Sequence, residues 1–303
     1  MQLDIMLFFQ GIGSTVLDSI ANALSFFGEE VAMILIVTMI YWCISKRKGF
    51  IILFNMLSAM TVMNTLKAIF RVPRPFQRYP ELIKGQRVET ATGYSFPSGH
   101  STGSAVFYSS LSVFFKKAWV MIPSIILLIG VPLSRLYLGV HWPLDVAVGM
   151  ILGLSATAFL SPVFEKLYTY DRKNRLMWIT GWIAAIPATL GIILLQMKAI
   201  NETAYSDLTK MLLLVSAGLI GLVLEDRFVG FTTDGTTKEK VLRFLFGTIG
   251  VILIQLIKVL LPGSLYYVGT FFRYALVGLW ITFLMPYLSV RLHIMHTEKE
   301  NRI

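Results

Sequence analysis

Apolar residues recur along this chain in long blocks. They show neither the two-residue alternation of a half-buried strand nor the narrow stripe of a surface helix. Each block runs for about 17–22 residues, enough for a helix to cross a bilayer core. The blocks predict nine spans, at about 28–45, 50–70, 99–115, 118–134, 143–163, 176–195, 207–224, 242–260 and 269–292. The stretch from Ile5 to Phe27 is also apolar, but Gln10, Gly11, Gly13, Ser14, Asp18 and Asn22 interrupt it. It reads as an amphipathic helix lying in the membrane interface. The fold expected is all-α, a polytopic membrane helix bundle of about nine transmembrane helices.

Composition agrees with that pattern. Of 303 residues, 55% are hydrophobic and only 15% charged, against roughly a quarter charged in soluble domains. The mean hydropathy is +0.69. Too little polar material exists to cover a water-facing surface, which excludes a soluble protein. The one cysteine, Cys43, rules out an internal disulfide and reads as a small apolar helix residue. The N-terminus lacks the basic region and small-residue cleavage site of a signal peptide, so Met1 is expected to stay.

The net charge of +10 implies basic loops rather than nucleic acid as a partner. Under the nine-span reading, 16 of the 27 Lys and Arg fall on one side, from Lys46 and Arg47 through Lys166, Arg175 and Arg227 to Lys299 and Arg302. That side is expected to be cytoplasmic, which leaves the N-terminus outside and the C-terminus inside. The longest polar connections are about 71–98 and 225–241, and long loops of this kind are often functional.

Three polar clusters interrupt the apolar pattern, each at the outer end of a predicted span. The first is KAIFRVPRP, Lys67 to Pro75, where Lys67, Arg71 and Arg74 share a helical face and two prolines stop the helix. Alone it reads as a basic helix end reaching toward headgroups. The second is Pro97-Ser98-Gly99-His100. Ser98 is placed to cap a helix, and the free N–H groups and helix dipole suit an anion. Gly99 allows close approach to the backbone. An ordinary cap with a polar neighbour would read the same way. Gly103, Ser104 and Ala105 serve tight helix packing. The third is SRLYLGVHWPLD, Ser134 to Asp145. Asp145 lies four residues after His141, within reach of one imidazole nitrogen, which leaves the other free as nucleophile or base. An Arg135–Asp145 ion pair is the plainer reading. Together, the clusters gather Lys67, Arg74, Arg135, a helix N-terminus and two histidines at one face. A charge costs about 2.5–3.5 kcal/mol at mid-bilayer and less near its edge. A bound phosphate would offset that.

These residues, Lys67-x6-Arg74-Pro75, Pro97-Ser98-Gly99-His100 and Ser134-Arg135-x5-His141-x3-Asp145, resemble the three-part signature of the type-2 phosphatidic acid phosphatase superfamily at every signature position. The resemblance implies a phosphatase core over 28–165, with 1–27 as an N-terminal interfacial helix and 166–303 as a four-helix transmembrane extension. It implies that His141 attacks phosphorus, Asp145 orients it, and His100 acts as acid and then base. Lys67, Arg74, Arg135, Ser98 and the Gly99 N–H would hold the phosphoryl oxygens. It implies no metal and no cofactor. His293 and His296, beside Glu298, read as a solvated tail.

The substrate class expected is a phosphorylated lipid, met at the extracytoplasmic face among membrane lipids. A soluble sugar phosphate is the alternative, because nine spans with an outer N-terminus also resemble glucose-6-phosphatase. A non-catalytic phospholipid-binding or transport protein is the other. A haloperoxidase, the soluble branch, does not fit. Phe76, Tyr79, Leu82 and Ile83 among the cations of 71–98 suit a lid or a plain interfacial loop equally. Asn201-Glu202-Thr203 matches a glycosylation triplet. The location expected is a cell membrane, or the endoplasmic reticulum with a lumenal site in a eukaryote.

Overall fold

In the computed structural model, which describes residues 1–260 and 263–297, the regular elements are helices. They are α1 Gln2–Gly11, α2 Thr15–Phe26, α3 Glu30–Met39, α4 Lys46–Phe70, α5 Pro75–Arg78, α6 Gly99–Phe115, α7 Ala118–Tyr137, α8 Pro143–Thr169, α9 Lys173–Gln196, α10 Glu202–Phe228, α11 Thr237–Gln255, α12 Ile257–Leu260, α13 Tyr266–Leu279 and α14 Met285–Arg291. One isolated bridge, Phe231 to Thr297, is the β pairing among the described residues. Glu298, Lys299 and Arg302 lie outside the described residues.

Seven helical segments among the described residues are long and apolar enough to cross a membrane: Lys46–Arg78, Ala118–Tyr137, Pro143–Thr169, Lys173–Gln196, Glu202–Phe228, Thr237–Val259 and Tyr266–Arg291. The count becomes eight if α2 and the helix Glu30–Ile44, bent by 48°, form one broken span. Nine spans were expected. The predicted third span is α6, a helix of 17 residues, at the lower limit of length for a crossing. The predicted first span is one limb of the bent pair. The single helix expected over Ile5–Phe27 is two helices. Gly11 and Gly13 weaken the junction, and the Ser14 hydroxyl restarts the helix by accepting from the Leu17 N–H at 3.3 Å.

The chain divides into two compact units. The first comprises Met1–Ile34 and Phe54–Val163. Inside it, α4, α6 and α8 are joined by a polar seam: Asn55 Nδ2 donates to Ser161 Oγ at 2.8 Å, and Thr157 Oγ1 lies 2.7 Å from Ser109 Oγ and 3.2 Å from Ser110 Oγ. Interhelical bonds of this kind are worth about 0.6 kcal/mol each in a membrane. Small residues let the helices close on the seam. A Cβ on Gly149 would lie 2.8 Å from Ser98 O, and one on Gly153 would lie 2.5 Å from Thr102 O and 2.6 Å from Ala105 Cβ.

That contact gives a clear expectation. Alanine favours a helix over glycine by about 1 kcal/mol, yet Gly153→Ala is expected to lower the melting temperature in detergent. The new methyl meets backbone and a small side chain that cannot move aside, and overpacking costs about 1–3 kcal/mol. Gly11→Ala, with open space around it, serves as the control. A Gly153→Ala protein that melts no lower than wild type would contradict the packing.

The second unit comprises Leu35–Leu53 and Phe164–Ile303. Its charges are paired inside the helical packing. Lys46 Nζ lies 2.7 Å from the buried Glu225 carboxylate, which also accepts the Phe231 N–H at 2.9 Å. The buried Arg243 donates to the carbonyls of Asp234 and Ile294. Cys43 is buried, with Sγ 3.3 Å from Lys240 O. Asn201 Oδ1 caps α10 by accepting from the Ala204 N–H at 2.9 Å. His296 contacts Glu239 at 3.5 Å rather than standing free.

Candidate active site

The site lies within the first unit. Two local devices set its walls. Helix α7 ends in a Schellman motif: the Gly139 N–H donates to Leu136 O at 3.0 Å and the Val140 N–H to Arg135 O at 3.3 Å. Gly139 has φ +72°, a left-handed conformation suited to glycine, and a Cβ there would lie 2.8 Å from Lys84 O. This reversal delivers His141 between α7 and α8. Helix α6 begins at Ser98, whose hydroxyl accepts the Ser101 N–H at 3.3 Å. The Ser98 N–H donates to Asp145 O at 3.0 Å and so ties the two helix starts together.

Arg74 is the centre of the site. It is fully buried at the N-terminal cap of α5. Its guanidinium donates to Gly93 O at 3.1 Å, Val140 O at 3.0 Å, Thr92 O at 2.6 Å and Tyr94 O at 3.4 Å. Arg74 Nη1 also lies 3.1 Å from His141 Nε2. Arginine only donates, so Nε2 carries the lone pair and the ring proton sits on Nδ1. Nδ1 faces Asp145 Oδ2 at 3.4 Å and Ser95 Oγ at 3.5 Å. Asp145 Oδ2 is held by the Trp142 N–H at 2.8 Å and by the Ser95 hydroxyl. The Trp142 bond is the N3-to-cap half of a capping box, so the turn that starts α8 also orients the carboxylate. Desolvation first, then the charges of Arg74, Arg135 and Lys67, holds His141 well below the usual histidine range.

The other predicted residues surround this centre less directly. Lys67 ends α4, is buried, and reaches Thr92 O at 3.5 Å. Arg135, fully buried in the last turn of α7, donates to Ser25 Oγ and to Thr90 Oγ1 at 3.5 Å rather than to Asp145. Its Nε is buried without a hydrogen-bond partner, and so is His100 Nε2 in the first turn of α6. Arg87 Nε, Arg243 Nη1 and Arg273 Nε share that state, so what sets this place apart is the company of buried cations, Lys67, Arg74 and Arg135, in one unit with the two histidines. Gly99 sits against Met63, 3.3 Å from a would-be Cβ. Arg71 is exposed and bonds its own helix end at Ala68 O.

Several participants had no signature. Ser95 bonds Asp145, and Arg87 pairs with Glu29 while donating to Asn22 O at 2.9 Å. The 71–98 connection is built into the core: Ile83 is buried with Met6, Leu136, Trp142 and Val146, and Phe76 and Tyr79 pack against that cluster. Beside Asp145 opens a cavity of about 380 Å³, walled by Leu3, Val72, Tyr79, Phe96 and Trp142.

The first unit therefore holds together a buried histidine, a carboxylate on its Nδ1 side and the buried cations Lys67, Arg74 and Arg135, in a chain with several helices apolar enough to cross a membrane. Comparison with known proteins agrees. Residues 48–169 match the PAP2 superfamily, and residues 209–298 match the transmembrane extension of PAP2 superfamily phosphatases. Undecaprenyl-diphosphatase of Sulfolobus acidocaldarius is 32% identical over 148 residues, covering 47% of this chain and 68% of that one. Putative undecaprenyl-diphosphatase YbjG of Escherichia coli K12 is 30% identical over 46% of this chain and 71% of its own. Decaprenylphosphoryl-5-phosphoribose phosphatase of Mycobacterium tuberculosis is 28% identical over 47% and 78%. The chain belongs to the PAP2 superfamily and is a phosphoric ester hydrolase.

Proposed function

We propose that the protein hydrolyses a lipid phosphate monoester or diphosphate through a phosphohistidine on His141. The observation that carries this is His141, held with Arg74 on Nε2 and Asp145 on the Nδ1 side, in one unit with the buried cations Lys67 and Arg135. In the first step His141 Nε2 bonds to phosphorus as the bond to the leaving oxygen breaks, and His100 gives that oxygen a proton. In the second step water attacks phosphorus, His100 takes its proton, the N–P bond breaks and inorganic phosphate leaves. Lys67, Arg74, Arg135, Ser98 and the Gly99 N–H hold the equatorial oxygens, where charge gathers in the transition state. Asp145 keeps the ring proton on Nδ1 and balances the positive charge of the intermediate.

A lipid fits because the helices around the site are apolar outward: Ile122, Ile126, Ile129 and Leu133 of α7 are all exposed. Three relatives carry names built on long prenyl carriers, so a prenyl diphosphate heads the candidate substrates. The basic-loop bias supports nine crossings, an outer N-terminus and a site facing away from the cytoplasm. In this reading 1–27 is the interfacial entrance, 28–165 the catalytic core and 166–303 an extension. The fixed cations fill the role that Mg²⁺ has in other phosphoryl transfers.

Phosphate release by detergent-purified protein in EDTA tests the proposal, with a prenyl diphosphate, phosphatidate, a long-chain base phosphate and glucose-6-phosphate as substrates. Release from at least one lipid is expected, with glucose-6-phosphate inert. Release from the sugar phosphate alone would replace the lipid reading with a sugar phosphatase. Folded protein inactive on all four would sink the reaction as proposed.

A further inference from the structure

The second unit has a cavity of about 440 Å³ between the start of α9 and the end of α10, lined by Asn174, Arg175, Trp178, Leu224, Asp226 and Arg227. Its charge is unbalanced. The Asp226 carboxylate is already taken, by Asn174 Nδ2 at 2.6 Å and Lys173 Nζ at 3.4 Å. Among the described residues neither Arg175 nor Arg227 has a carboxylate within ion-pair distance. The lining therefore sets two guanidiniums against the Asp226 carboxylate, which Asn174 and Lys173 already engage.

The surface leading away from the cavity is apolar. Trp178, Trp182 and Ile186 recur every four residues along one face of α9 and are all exposed, as are Ile179 and Ile183 beside them. The Trp178 and Trp182 rings meet edge to face at 5.9 Å. Arg227 lies over the ring of the exposed Phe228 at 5.4 Å. Arginine and tryptophan at the end of an apolar helix belong to the headgroup region of a bilayer. A basic pocket between helices, continuing into an apolar strip, matches an amphiphile with an anionic head and an acyl chain.

We propose that this cavity binds the headgroup of an anionic glycerophospholipid, with Arg175 and Arg227 on its phosphate and one acyl chain lying along Trp178 and Trp182. Arginine suits the task because its planar fork takes two phosphate oxygens at once. The site shares no residue with the phosphatase centre and does not depend on the reaction proposed there.

The test uses the full chain in phosphatidylcholine vesicles doped with chain-brominated lipid, which quenches tryptophan at contact. Brominated phosphatidylglycerol is expected to quench saturably at low mole fraction, with about a ten-fold preference over brominated phosphatidylcholine, or ~1.4 kcal/mol. Arg175→Gln with Arg227→Gln should abolish the preference while leaving phosphate release unchanged. Trp178→Phe with Trp182→Phe should remove most of the saturable quenching yet keep both arginines, which separates a local contact from a general change in fold. Equal quenching by the two lipids would overturn the proposal, as would a preference that survives in the double variant. Full reversal by millimolar sn-glycerol 3-phosphate would also overturn it, because the ligand would then be a free phosphate ester and not a membrane lipid.

Discussion

Replacing His141 with alanine is expected to abolish phosphate release, by at least about four orders of magnitude, the scale on which removing a nucleophile acts. The expectation rests on the proposed role of one atom. Arg74 can only donate to His141 Nε2, so that nitrogen holds the lone pair. Asp145 and Ser95 lie on the other side of the ring. Rapid quenching of wild-type protein with labelled substrate should trap an acid-labile phosphoprotein, and the His141→Ala protein should form none. Retention of label by His141→Ala would move the nucleophile elsewhere. A pH profile adds an independent reading. Burial and the neighbouring cations lower the His141 pKa, so the ring is neutral at pH 7 and protonates only in more acidic solution. The acidic limb of kcat/KM, which reports the free enzyme, is expected below the ordinary histidine value of about 6.5. A limb above that value would mean that a different group sets the nucleophile's ionisation.

Parts of this site were legible because their chemistry is local. Ser98 caps α6 within three residues, and Asp145 meets His141 one turn away. Such spacings survive in one dimension. Ser95 was not legible, since its bond joins positions 50 residues apart and a serine before Pro97 carries no mark of its partner. The Arg87–Glu29 pair spans 58 residues and was equally hidden. The pairing of Arg135 with Asp145 failed for a related reason: proximity in sequence says nothing about where a buried guanidinium turns, and here Ser25 and Thr90 take it. Hydropathy located the helices but not their status. It merged α1 and α2 because their breaks are made by two glycines and a hydroxyl rather than by charge. Ile83 shows the same limit from the other side. In a loop rich in cations it resembled a membrane-facing residue, yet it is buried in a core built from α1, α7 and α8.

Arg74 is where stability and chemistry meet, and its substitutions should separate them. Arg74→Ala removes the donor from the carbonyls of Gly93, Tyr94 and Val140 and leaves Thr92 O with its contact to Lys67. The Val140 bond is the buried one, and a buried acceptor left unpaired costs about 1–3 kcal/mol. A lower melting temperature is therefore expected together with lost activity, and that variant alone cannot distinguish the two causes. Arg74→Lys can. An ammonium keeps the charge but cannot reproduce a planar fork that reaches four carbonyls and a ring nitrogen. In the proposed reaction, Nη1 must also leave His141 Nε2 for a phosphoryl oxygen, so the arginine uncovers the nucleophile as it grips the substrate. Losing one such preorganised donor costs about 10²–10³ in kcat, or ~2.7–4 kcal/mol. Arg74→Lys is expected to recover part of the melting temperature and to lose at least that factor in kcat. Steady-state kinetics and thermal melts on the same preparations check it. A lysine variant that turns over like wild type would show that charge alone suffices, and the exchange of the guanidinium between histidine and phosphate would have to be abandoned.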